Sequence, residues 1–215
     1  DASYPGSGSG LACAWKHPFF ALPPGGTPRI SGGDTLIIGP GSYMMGLGAP
    51  GASSSSCVSS WSYDCHMPSI PSGPSVALKT RILGKGHDQG CIAPPQLWGT
   101  ERASPIIGLD GSSNVEIGCL EITDHSECIE SHCSNGTCSG GASQISQCVR
   151  DNPPFGAWSS IAVQASDSSN VWLHDLNIHG MANRGIVAGG LRDWTVESVK
   201  LRANGWAGWD GDIGS

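Results

Sequence analysis

Apolar and polar positions in this chain alternate in short runs, and the runs repeat. Ser112-Ser113-Asn114-Val115-Glu116-Ile117 returns as Ser168-Ser169-Asn170-Val171-Trp172-Leu173, and more loosely as Leu191-Arg192-Asp193-Trp194-Thr195-Val196. A second apolar run follows each copy: Leu120-Glu121-Ile122, Leu176-Asn177-Ile178 and Val199-Lys200-Leu201. The last two copies stand 23 residues apart throughout, from Val171 to Trp194 and from Ile178 to Leu201. The first two stand 56 apart, which reads as two periods plus about ten residues. A third run keeps the spacing, with Val163, Ile186 and Trp209 each 23 apart. Ile107 and Ile129 lie 22 apart, one period earlier, so the 34-residue gap from Ile129 to Val163 holds an insertion.

A period near 23 with three short strands per turn is what a parallel β-helix requires. Alternation puts apolar residues inward and polar ones outward, and Gly, Asn and Ser suit corners with unusual backbone angles. A β-sandwich of evenly spaced hairpins gives no reason for recurrence at this period. The pattern therefore predicts an all-β, right-handed parallel β-helix in one domain. It has an entry segment (1–45), irregular early coils with loops (46–105) and regular coils (106–215). Val163, Ile186 and Trp209 are expected to stack with inward side chains. Residues 203–215 read as the start of another coil, so further coils are expected on following residues or on another chain.

Composition narrows the class. Charged residues make up 13% and Gly contributes 32, yet eight Trp and the many apolar runs favour an ordered chain. A net charge of −7 without a basic cluster excludes a nucleic-acid footprint, and no apolar run is long enough for a membrane span. Nine cysteines without a Cys-x-x-Cys pair point to disulfides and to a secreted, extracellular or periplasmic setting. Cys57 and Cys65 are expected to pair across a Ser-rich loop. At least one bridge is expected among Cys128, Cys133, Cys138 and Cys148, at the base of and within the insertion. Asn135-Gly136-Thr137 matches a glycosylation acceptor.

Trp15-Lys16-His17-Pro18-Phe19, then Gly33-Asp34-Thr35-Leu36-Ile37-Ile38 and Pro40-Gly41-Ser42-Tyr43, resemble the entry segment of secreted right-handed β-helix proteins of the pectate-lyase-like superfamily. Val76-Ala77-Leu78 and Arg81-Ile82-Leu83-Gly84 resemble its next coil. The resemblance implies the fold. It leaves open polysaccharide lyases, hydrolases and epimerases on one side and non-catalytic adhesins and tailspikes on the other.

Stacking at this period assigns outward residues. Asp210 and Asp212 point outward if Trp209 points inward, and such a pair can serve as acid and base or hold a hard cation such as Ca²⁺. The set Glu121 and Thr123, Asn177 and His179, Lys200 and Arg202 shares the adjoining sheet, with Arg184 at a corner. Cations beside carboxylates in one groove suit a uronate-containing polysaccharide or cell-surface glycan. Trp172 could stack on a sugar ring. The expected site joins the 177–179 and 200–202 strands to the 210–212 strand, with a salt-bridged surface as the competing reading. Two functions follow: a lyase or hydrolase acting on an extracellular polysaccharide, or a non-catalytic, adhesin-like structural protein.

Overall fold

The computed structural model describes residues 14–52, 57, 65–100, 102–129 and 158–212. Nearly all of its regular structure is β, with two three-residue 3₁₀ turns at Pro18–Phe20 and His87–Gln89. The strands are β1 (Thr35–Ile38), β2 (Ser42–Gly46), β3 (Thr80–Gly84), β4 (Gln96–Thr100), β5 (Arg102–Ala103), β6 (Ile107–Gly108) and β7 (Ser113–Thr123). They continue as β8 (Ile161–Ser166), β9 (Ser169–His179), β10 (Arg184–Gly189), β11 (Thr195–Glu197), β12 (Lys200–Arg202) and β13 (Ala207–Asp212).

Every pairing between these strands is parallel, in two sheets. One sheet has eight strands in two columns, β1-β3-β7-β9-β11 and β2-β4-β7-β9-β12. The strands β7 and β9, with 11 residues each, serve both columns. The other sheet runs β6-β8-β10-β13. Each long strand bends at a residue with positive φ: Cys119 (55°) in β7 and Asp175 (50°) in β9, with Ser198 (54°) between β11 and β12. Asn114, Asn170 and Asp193 form a second column of such residues, a backbone region where Asn and Asp are enriched. The bend resets the alternation. Val115 and Ile117 point inward before it in β7, Leu120 and Ile122 after it, and all four are fully buried. The matching residues of β9, Val171, Leu173, Leu176 and Ile178, extend the same core.

The 23-residue register holds wherever β9 meets β11 and β12 and where β8, β10 and β13 meet. The 56-residue offset is different from its expected meaning. Val115 lies directly opposite Val171 and Ile107 directly opposite Val163, so a single repeat carries the whole excursion after Thr123. Ile129 belongs to no strand and is 55% exposed. It sits at the foot of the excursion, where an apolar residue at nearly the right spacing imitates a strand. Trp209 takes its expected register opposite Ile186, yet it is 39% exposed because β13 is the last strand of its sheet. Val76 and Leu78 are also exposed. Their segment forms a turn closed by the Leu78 N–H on Ser75, whereas the expected Arg81–Gly84 run lies in strand β3.

The entry segment packs onto this core through Phe19, Leu22 and Ile30. His17 is buried, with Nδ1 accepting the Phe19 N–H and Nε2 donating to the Met44 carbonyl. Burial lowers its pKa to about 4, against the Met44 hydrogen bond, so the ring is neutral. Cys57 pairs with Cys65 as expected. Cys91 pairs with Cys119, a bridge that ties the loop between β3 and β4 to the bend of β7. Cys128 is also disulfide-bonded, whereas Cys133, Cys138 and Cys148 lie outside the described residues.

Candidate functional site

The outer face of the second column carries a continuous polar ladder. Parallel register sets Ser42, Gln96, Glu121, Asn177 and Lys200 side by side on successive strands. One alternation further along stand Met44, Trp98, Thr123, His179 and Arg202. The inward neighbours Leu97, Ile122 and Ile178 are fully buried, which fixes the strands and aims these side chains outward.

Glu121 is the hub. One carboxylate oxygen meets His179 Nε2 at 2.7 Å and the other accepts from Gln96 Nε2 at 3.0 Å. Desolvation pushes its pKa up, but hydrogen bonds from His179 and Gln96, with the charges of His179 and Arg202, outweigh it and hold the carboxyl below its ordinary value. His179 Nδ1 lies 3.2 Å from Thr123 Oγ1, so both ring nitrogens are engaged. Arg202 Nε donates to Asn177 Oδ1 at 3.3 Å. Gln96 Oε1 accepts from Ser42 Oγ and lies 2.8 Å from His125 Nε2. The His125 ring stacks on Trp98 with centres 4.3 Å apart. Burial lowers the His125 pKa, against the pull of Glu121.

The first column of the same face holds a tighter network. Glu116 takes Arg81 Nε at 2.9 Å and faces His174 Nε2 at 3.4 Å, while His174 Nδ1 meets Asp175 at 2.8 Å. Trp172, half-buried, lies against the His174 ring and donates its indole N–H to Glu197 at 3.0 Å. In this network the Trp172 indole N–H and both His174 ring nitrogens are engaged.

The expected site divides between the sheets. Asn177, His179, Lys200 and Arg202 share the ladder around Glu121. Arg184, which opens β10 in place of a corner, forms an ion pair of 2.7 Å with Asp210 across to β13, and its guanidinium lies 4.0 Å from the centre of the Trp206 ring. The first group lies on the eight-stranded sheet and the second on the four-stranded one. The side chain of Asp212 lies outside them. Ca²⁺ needs six to eight oxygen ligands, and no cluster of three or more His, Cys, Asp or Glu among the described residues is placed to hold a metal. Asp210 Oδ2 is engaged by Arg184. Gln96, Trp98 and His125 join the ladder unannounced by the sequence. Gln96 precedes Glu121 by 25 residues, and the β4 segment carries no copy of the repeat.

Fold and site together define an all-β, disulfide-bonded protein of parallel sheets with a hydrogen-bonded polar face. The chain matches no family model, no curated protein and no solved structure. No helix among the described residues is long and apolar enough to cross a membrane.

Proposed function

We propose that the two sheets are faces of a right-handed parallel β-helix, and that the protein binds a uronate-containing extracellular polysaccharide on the ladder around Glu121. Strand columns at a 23-residue register support the fold, and bonded cysteines support an oxidising, secreted setting. One observation carries the function. A single outer face aligns Trp98, Glu121, Asn177, His179, Lys200 and Arg202, which supply an aromatic ring, amide and carboxylate groups for sugar hydroxyls, and cations for a sugar carboxylate. Such a set of aligned polar groups beside one aromatic is what a polar, ring-shaped ligand requires.

The Glu121–His179 contact also suits acid–base work, which keeps a lyase or hydrolase as the second reading. Binding is favoured because both His179 nitrogens are already engaged, and Glu121 is held by two partners. Titration calorimetry with a uronate-containing polysaccharide tests the reading, run alongside an assay for released sugar ends. Saturable binding is expected, weakened about tenfold by the double change Lys200→Ala and Arg202→Ala, since each lost charge-assisted contact costs about 1 kcal/mol or less when exposed. Unchanged affinity in that double variant would remove the ladder as the site. Turnover abolished by His179→Ala would move the assignment to an enzyme.

A further inference from the structure

Resting on that reading, we propose that the ladder selects a mixed glycan, in which a uronate is flanked by neutral sugars, over a homopolymer of uronates. The argument is the order of groups across the strands. From β2 to β12 the pairs are Ser42 and Met44, Gln96 and Trp98, Glu121 and Thr123, Asn177 and His179, then Lys200 and Arg202. The permanent cations stand at one end, the aromatic and amide groups towards the other, and a carboxylate between them. Trp98 and Arg202 are three strand steps apart, ~14 Å, a span that a few pyranose rings cover.

A uronate over Lys200 and Arg202 meets two exposed cations. A second uronate at the Glu121 level meets a like charge, since Glu121 stays ionised under the pull of His179 and Arg202. The imidazoles facing Glu121, His179 and His125, are tied to Thr123 and to Gln96 and Trp98. A neutral ring at the same level meets hydrogen-bonding groups, and one over Trp98 takes the aromatic face that His125 now covers. Glu121 is thereby a specificity residue that acts by repulsion, a means of discrimination separate from affinity itself.

The experiment is titration calorimetry with three oligosaccharides of equal length: a homo-oligomer of glucuronate, an alternating glucuronate and N-acetylglucosamine oligomer, and a neutral N-acetylglucosamine oligomer. The alternating oligomer should bind about three- to fivefold more tightly than the homouronate, the size of one exposed charge contact, and the ratio should shrink as salt rises. Glu121→Gln should move that ratio toward one, and Arg202→Ala should remove the advantage of the alternating oligomer over the neutral one. Homouronate binding as tight as the alternating oligomer, or an unchanged ratio in Glu121→Gln, overturns the proposal while leaving polysaccharide binding intact. If Glu121→Gln does not fold, the wild-type ratio and its salt dependence still decide. Failure of all three oligomers to bind removes the proposed function as well.

Discussion

Two residues near the ladder show how local chemistry sets stability. Asp124 is 8% exposed and accepts backbone N–H groups from Ser126 and, at 3.2 Å, from Ser159, so it clasps the two sides of the insertion's base. Desolvation raises its pKa to about 6 from an ordinary 3.8, against the hydrogen bonds from Ser126 and Ser159. The folded state therefore keeps this proton to higher pH than the unfolded state does. The Asp124 contribution to stability is greatest below pH ~4 and falls as pH rises to ~6. Asp124→Asn should flatten stability against pH across that window, by on the order of 1–3 kcal/mol, measured by urea unfolding at several pH values. An unchanged profile would mean that Asp124 titrates alike in the folded and unfolded states. Gly118 acts through space, since a Cβ there would run into the His174 ring that lies over it. Gly118→Ala should cost about 1–3 kcal/mol, and adding His174→Ala should recover much of the loss. Additive costs in that double-mutant cycle would contradict the contact.

Strands at equivalent places in the repeat do not have equivalent energetics. Leu173 in β9 and Val196 in β11 are register partners, but Leu173 is fully buried and Val196 is 43% exposed. Leu173→Ala should cost about 2–5 kcal/mol, and Val196→Ala under about 1 kcal/mol, because the latter leaves no closed cavity. Equal losses in denaturant unfolding would show that Val196 is covered in solution. The loop between β3 and β4 makes a parallel point about connections. A single left-handed residue turns β7 and β9, whereas this bend is made by a longer loop anchored through Cys91 to Cys119. Removing both cysteines should lower stability by about 2–4 kcal/mol, seen as a shift in the unfolding midpoint without loss of the β-sheet signal.

At the scale of the whole molecule, parallel columns and covalent ties work together. Among the described residues all five cysteines are disulfide-bonded: Cys57 with Cys65, Cys91 with Cys119, and Cys128. Five bonded cysteines, with the one partner that Cys128 requires, leave at most three of the nine to titrate, so thiol titration of unfolded, unreduced protein should find no more than three free. A larger count would contradict both the bridges and the oxidising compartment proposed from them. The two sheets share one continuous core from Phe19 to Ala188, which couples the entry segment to the ladder. Exposed Val196, Trp206 and Trp209 mark the β11–β13 end, where among the described residues each strand is paired on one side only.

The sequence by itself determined the strand types, the 23-residue register after β8 and the outward sets on β7, β9 and β12, because side-chain alternation and exact recurrence are properties of local order. It also marked Cys57 and Cys65, eight residues apart, as a pair. Only the tertiary structure decided that 56 residues make one repeat, since a long excursion adds residues without adding a strand to the stack. It alone brought Gln96, Trp98 and His125 to Glu121, through a β4 segment whose length breaks the period. It likewise separated Arg184 and Asp210 from the ladder, because strand pairing places β10 and β13 side by side in the other sheet, where the two side chains meet.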